Sequence, residues 1–361
     1  MIIKSLDVSG FRNYDRLSLT LHSGTNIFYG DNAQGKTNIL EALYMCSTTK
    51  SHRGSKDREM IQFEKDESHL KMILNRKGLD YRVDMHLKKS RPKGIAINGT
   101  PIRRASELLG MAHVIFFSPE DLGIIKNGPA ERRHFIDMEL CQLNRVYTSD
   151  LSNYNKVLAQ RNRLLKDLAY KPETIDTLQV WDMQMVHYGR RVISERRKFT
   201  EKLNQIIEQV HYDLTAGKEQ IQIRYEPNVS EEELETAVEA GREKDIRQKS
   251  TLTGPHRDDI CFFINGTDVR KYGSQGQQRT AALSLKLSEI RLVEEVARDA
   301  PVLLLDDVLS ELDSKRQSQL LDSITHIQTL ITCTGLDDFV SDRFHMDKVF
   351  KVVNGTVVSE N

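Results

Sequence analysis

The chain has 361 residues, and its 52 lysines and arginines are balanced by 52 aspartates and glutamates, so it carries no formal net charge. That balance excludes a uniformly basic nucleic-acid-binding protein; such a partner would have to be met by a local basic surface. With 39% hydrophobic residues, no apolar run near the roughly 18 residues of a membrane span, and no long apolar core in Met1–Leu6, the composition predicts a cytoplasmic globular protein without a membrane segment. The cysteines Cys46, Cys141, Cys261 and Cys333 lack any C-x-x-C spacing and read as reduced thiols, mostly buried.

The first thirty residues predict strand, turn, strand and loop. Ile2, Leu6 and Val8 lead into Phe11-Arg12-Asn13-Tyr14, and Leu17, Leu19 and Leu21 alternate after it. Thr25–Tyr29 is a short buried strand, and Ile39, Leu40, Leu43 and Tyr44 recur at helical spacing beyond the glycine-bearing segment between them. A β-rich stretch follows, with Leu70–Leu74 and Tyr81–Leu87 flanking Arg76-Lys77-Gly78, and Ile95–Ile97 meeting the hairpin signal Asn98-Gly99. From Glu131 to about Tyr212 the period becomes helical, interrupted at Pro172, and Ile221, Ile223 and Tyr225 alternate beyond it. Ser230–Leu234 opens a charged helix. Cys261–Ile264 runs into Asn265-Gly266, Thr280–Val296 is a long helix, Val302–Leu305 and Leu330–Thr332 are buried strands, and Val349–Val358 is a hairpin at Asn354-Gly355. The expected organisation is an α/β head made of residues 1–118 and 250–361, interrupted by a mostly helical lobe over 119–249.

Three segments carry chemistry. Gly30-Asp31-Asn32-Ala33-Gln34-Gly35-Lys36-Thr37 matches G-x-x-x-x-G-K-[ST], placed between a strand and a helix as a phosphate loop must be. Successive backbone amides would converge on phosphate oxygens there, Lys36 would reach the β- and γ-phosphates, and the Thr37 hydroxyl would ligate Mg²⁺. Val302–Asp307 is an apolar strand ending in two carboxylates: either a core strand followed by a solvated turn, or Asp306 facing Mg²⁺ and Asp307 acting as general base toward water. Ser274-Gln275-Gly276-Gln277 precedes a helix, where it is either a polar cap or a γ-phosphate contact favoured by the helix dipole.

Together these resemble the ABC-type ATPase head, with Ser274–Gln277 as a variant signature motif and Ser310-Glu311-Leu312-Asp313 as the D-loop, represented by Ser310 and Asp313. The resemblance implies that the signature of one subunit caps the ATP of another, in a head-to-head homodimer. A transporter's nucleotide-binding subunit would share these motifs, whereas a metabolic phosphotransferase would need neither signature nor D-loop. The late signature and Phe11–Tyr14 resemble the SMC-like group, in which an arginine, here Arg12, reaches the phosphates. Residues 120–250 could make at most two helical arms of about 90 Å, which leaves no room for a long coiled coil.

The whole chain resembles the RecF family. This is carried by Phe11–Tyr14, Gly30–Ala42 (including Asn38 beside the nucleotide), Ser51-His52-Arg53, Phe117–Leu122, Arg132-Arg133, Thr253–Asp259 and Gly273–Leu287. The resemblance implies ATP-dependent dimerisation on gapped or junction DNA. It also implies action with RecO and RecR in loading RecA, during recombinational repair, replication restart and the SOS response, with slow hydrolysis as a switch. Two departures fit slow turnover: Ile331-Thr332-Cys333-Thr334 lacks the histidine that usually contacts the γ-phosphate, and Asp307 stands where a glutamate is usual. For DNA, the candidates are Arg190, Arg191, Arg197 and Lys198, which share one helical flank, with Arg161, Arg163, Lys166, Arg196 and Arg103-Arg104 as further basic clusters; any of these could equally be a solvated charged face.

Overall fold

The computed structural model describes residues 1–336 and 346–360. These form two compact units: Met1–Asp121 with Glu289 onward, and Leu122–Ser288.

The first unit opens with β1 (Ile2–Phe11), β2 (Tyr14–Thr20) and β3 (Thr25–Tyr29), followed by α1 (Lys36–Thr48) and α2 (Asp57–Met60). It continues through β4 (Glu67–Arg76), β5 (Leu79–Lys88), β6 (Gly94–Ile97), β7 (Thr100–Pro101) and β8 (Val114–Phe117). The long β4 and β5 alternate buried and open positions, as expected of strands covered on one face. Their turn, Lys77-Gly78, and that at Asn98-Gly99 have positive φ at both residues, the geometry that two-residue hairpins favour. The antiparallel sheet runs β2-β1-β4-β5-β6-β7.

The second unit is one uninterrupted segment. It contains α3 (Leu122–Lys126), α4 (Pro129–Leu143), α5 (Arg145–Asp167) and α6 (Leu178–Leu214), then β9 (Ile221–Glu226) and α7 (Leu234–Gln248). After these come β10 (Asp259–Ile264), β11 (Thr267–Asp268), α8 (Val269–Tyr272) and α9 (Gln275–Ala297), which passes into the first unit at Glu289. The sequence division placed residues 250–288 with the head. In the structure β10 pairs with β9, from Ile264 against Ile221 to Asp259 against Glu226, and that ladder holds the segment with the helices of the second unit. The helix bearing the signature also begins at Gln275, earlier than the apolar period suggests, because its polar first turn carries no periodic signal.

The chain then completes the first unit with β12 (Val302–Asp306), α10 (Ser314–Ile324), β13 (Thr329–Cys333), β14 (Lys348–Val353) and β15 (Thr356–Glu360). The second sheet runs β15-β14-β3-β13-β12-β8, all parallel except β15. Every residue of β12 is buried, as parallel strands covered on both faces require. Ile39, Leu40, Leu43, Met45 and Cys46 of α1 join one core cluster with Leu70, Met72 and Val83 from one sheet and Leu304, Leu330 and Phe350 from the other. That burial on nearly every side explains why α1 lacks a clean amphipathic stripe. None of the four cysteines is in a disulfide; Cys46 and Cys141 are buried and the other two half-buried.

Candidate nucleotide site

Strand β3 delivers the chain into Gly30–Gly35, and α1 starts at Lys36. Gly30 has φ +147°, and a Cβ there would lie 2.3 Å from the Val352 carbonyl oxygen; Gly35 has φ +113° and would collide with the Asn13 side chain. Both positions need glycine for backbone conformation and for space. Lys36 is only 5% exposed, and its ammonium folds back to donate to the carbonyls of Gly30 (2.5 Å) and Asp31 (2.9 Å). Neighbouring segments hold the loop. Asn13 Nδ2 donates to the Gln34 carbonyl (2.9 Å), Asn38 Nδ2 donates to Asn13 Oδ1 (2.9 Å), and the Tyr14 hydroxyl donates to the Gly35 carbonyl (3.1 Å). From the far end of the sequence, the Asn354 amide donates to Gln34 Oε1 (2.6 Å) and the Gly355 amide to the Gln34 carbonyl (3.1 Å).

Parallel pairing of β13 with both β3 and β12 brings Asp306 to the start of α1. Thr37 Oγ1 donates to Asp306 Oδ1 (2.8 Å), and Thr332 Oγ1 donates to the same oxygen (2.7 Å). Asp306 is 6% exposed, and burial raises its pKa above the usual carboxylate range, partly offset by the hydroxyls of Thr332 and Thr37. A buried carboxylate supported by hydroxyls fits a hard divalent cation, which Thr37 and Asp306 are the residues placed to hold. Asp307 follows in the left-handed region, φ +54°, with its amide donating to Thr332 Oγ1 (3.1 Å) and its carbonyl accepting from Ser310 Oγ (2.8 Å). Thr332, in the Ile331–Thr334 segment that lacks the usual histidine, is thus a brace for Asp306. Asp313 caps α10 by accepting from the Arg316 amide (3.0 Å).

Arg12, expected to reach the phosphates, is tied to α1 in this structure. Its guanidinium is bidentate on Glu41 of α1 (2.8 and 2.9 Å) and also donates to Ser55 Oγ (3.0 Å). Burial pushes the Glu41 carboxyl up, but hydrogen bonds from Arg12 and Ser51 prevail and hold it below its ordinary value. The positive φ of Arg12, +52°, turns β1 into β2 and sets Asn13 and Tyr14 under the loop. In Ser51-His52-Arg53, His52 stacks on Phe116 with centroids 3.9 Å apart; burial lowers its pKa to about 4.

In the second unit, Ser274, Gln275 and Gly276 are exposed at the start of α9. Ser274 and Gln277 cap each other: the Gln277 amide N–H donates to Ser274 Oγ (3.2 Å) and the Ser274 N–H to Gln277 Oε1 (2.9 Å). Of the basic candidates, Arg161 and Arg196 are corrected by burial. Arg161 is 0% exposed, paired with Asp182 (2.6 Å) and Asp245 (2.7 Å), and Arg196 is 2% exposed, paired with Asp137 (2.8 Å) and Asp258 (2.9 Å). Removing one partner of such a pair costs about 3–5 kcal/mol, so these arginines hold the fold together. Arg190, Arg191 and Lys198 remain accessible on α6, with Arg190 2.9 Å from Glu235 and Lys198 2.8 Å from Glu195; Arg197 is half-buried.

The parallel sheet with its phosphate loop and strand-end carboxylates defines an ABC-type ATPase head of the SMC-like kind. A family profile described as RecF/RecN/SMC N terminal domain matches residues 2–357. The DNA replication and repair protein RecF of Lachnoclostridium phytofermentans is 60% identical over 357 residues, covering 99% of each chain, and that of Clostridium perfringens is 44% identical over 362, also covering 99% of each. The solved ATP complex of the recombination mediator protein RecF of the RecFOR pathway superposes with TM-score 0.93 at 35% identity, covering 100% of this chain and 98% of the other. The chain belongs to the RecF family. A Pyrococcus furiosus Smc head with an extended coiled coil, bound to the C-terminal domain of ScpA, shares the fold alone, with TM-score 0.57 at 15% identity and coverage of 100% and 96%. Among the described residues no helix is long and apolar enough to cross a membrane.

Proposed function

We propose that this recombination mediator is an ATP-dependent DNA clamp that dimerises around its nucleotide. ATP binds at Gly30–Asn38, with Lys36 on the β- and γ-phosphates. Thr37 and Asp306 would hold Mg²⁺, which when bound would neutralise charge on the phosphate oxygens. Asp307 takes a proton from the attacking water. The second copy supplies Ser274, Gln275, Gly276 and Gln277 to the γ-phosphate, with Ser310 and Asp313 lying in the D-loops. The clamp closes on gapped or junction DNA, acts with RecR and RecO to promote RecA loading in repair, replication restart and the SOS response, and is released by slow, DNA-stimulated hydrolysis.

One observation carries this proposal. Ser274 to Gly276 are exposed at the N-terminus of a 23-residue helix, where the dipole favours an anion, while the buried Lys36 and Asp306 and the half-buried Thr37 are already assembled in the head. The test is Ser274→Arg, followed by solution mass with and without ATP and Mg²⁺ and by ATP binding to the monomer. Monomer affinity is expected to be unchanged and ATP-dependent dimerisation lost. Loss of ATP binding in the monomer, or dimerisation at the parental level, would overturn the shared-site arrangement.

A further inference from the structure

Gln277 is the pivot of the signature segment. Its side-chain oxygen accepts from the Ser274 amide (2.9 Å), and its side-chain nitrogen donates to Glu219 Oε1 (2.9 Å). A carboxamide can present either end, and the end facing Ser274 must be oxygen, because the Ser274 backbone is a donor. The Glu219 carboxylate selects that orientation, since it can only accept. With the Gln277 amide thus fixed, the Gln277 N–H occupies one lone pair of Ser274 Oγ, leaving the Ser274 hydroxyl proton to donate outward.

Glu219 is itself held at several points. It follows the last turn of α6, in a turn where its amide donates to Thr215 Oγ1 (3.3 Å). Its other carboxylate oxygen lies 3.3 Å from Nε2 of His211, a fully buried residue of α6. Ser284 Oγ spends its proton on the Thr280 carbonyl (2.8 Å), so it accepts from His211 Nδ1 (2.8 Å), and the imidazole is tied to α9 on its other side. The carboxylate therefore sits between the end of α6 and the start of α9, aimed at Gln277.

We propose that Glu219 is a positioning residue for the signature motif: it sets the Gln277 carboxamide, and through it Ser274, for the phosphate presented by a second copy of this chain. This rests on the shared-site reading above and adds to it a residue outside all the motifs. Preorganising a donor in this way removes ordering that would otherwise oppose association.

The experiment compares Glu219→Ala, Glu219→Gln, Gln277→Ala and the double Glu219→Ala/Gln277→Ala variant with the parent in ATP-dependent dimerisation, using ATP binding to the monomer as the control and Ser274→Arg alongside. Glu219→Ala is expected to weaken dimerisation about tenfold, the loss of one charge-assisted hydrogen bond, with monomer ATP affinity unchanged. Glu219→Gln, whose amide oxygen still accepts from Gln277, is expected to recover most of that loss. The double variant is expected to be no weaker than Gln277→Ala alone, as residues acting through one contact require. Parental dimerisation in Glu219→Ala or Gln277→Ala, while Ser274→Arg abolishes it, would overturn the positioning role and leave the shared site standing. Additive losses in the double variant would likewise show that Glu219 does not act through Gln277. Parental dimerisation in Ser274→Arg as well would remove the shared site and this role together. Gln277→Ala touches no fully buried group, so it decides the question should Glu219→Ala fail to fold.

Discussion

The phosphate loop and the signature segment are both glycine-bearing turns at the start of a helix, and they are held in opposite ways. Gln34 in the loop is gripped by Asn13, Asn354 and Gly355, and the buried Asp306 faces Thr37 across the sheet. The signature is braced mainly from within, by the Ser274–Gln277 cap, with an outside side-chain contact at Glu219, and its glycine opens to solvent. A site that must form in one chain is built to be finished before its ligand arrives. A surface proposed to meet another chain keeps its backbone ordered and its ligand face bare.

A pair of glycine substitutions is the strongest way to break that contrast. Gly30→Ala places a Cβ 2.3 Å from the Val352 carbonyl at φ +147°, and is expected to cost about 3 kcal/mol or more and to abolish nucleotide binding. Gly276→Ala meets nothing closer than Ser274 Oγ at 3.9 Å, so its unfolding midpoint should equal or exceed the parent's, with loss confined to dimerisation. Equal destabilisation in urea melts would end the distinction. Next in size, Lys36→Met should weaken ATP binding by about 100-fold, the scale of a lost charged contact, with little change in melting temperature; equilibrium titration with a fluorescent ATP analogue checks it.

A smaller effect asks whether the units share a weakness to acid. Burial lowers the pKa values of His52 in the first unit and His256 in the second to about 4. The His256 ring accepts from Tyr154 (2.7 Å) and donates to the Thr251 carbonyl (3.1 Å), so a second proton would break the tyrosine contact. An unfolded histidine titrates near about 6.5, so below that pH the unfolded state binds more protons, and stability falls as pH drops from about 6.5 towards 4. A loss of about 1–2 kcal/mol per histidine is expected at pH 5, with a plateau above pH 7, and His52→Gln should remove one share of it. An identical urea midpoint at pH 5 and pH 7 would contradict both assignments. Smallest for the fold is Arg190→Ala/Arg191→Ala, expected to change stability by no more than about 0.5 kcal/mol while reducing the salt slope of DNA binding by about two. An unchanged slope would take this flank of α6 off the DNA path.

What could be read from the sequence was local chemistry. Gly30–Thr37, the apolar strand before Asp306 and the Asn-Gly hairpins each announce themselves within a few residues, because backbone conformation and strand burial leave a local trace. Asn354-Gly355 was legible as a turn but not as a wall of the phosphate loop, since their meeting with Gln34 depends on β14 pairing with β3. Arg161 and Arg196 looked like surface charge because their acidic partners lie far along the chain. The affiliation of residues 250–288 was hidden for the same reason, as β10 finds its partner β9 across α7. Glu219 carries no motif; only the fold brings it to Gln277.

The strand order also sets a timetable for biosynthesis. The sheet that seats the phosphate loop needs β14, and the loop's outer support, Asn354-Gly355, is made long after the loop itself. At about 5–20 residues per second, the glycine loop waits roughly 15–60 s for that neighbour. The second unit, a continuous stretch from Leu122 to Ser288, has all its own strands and helices within that interval. A ribosome stalled before β14 therefore releases a product whose signature-bearing unit is complete and whose nucleotide pocket is not.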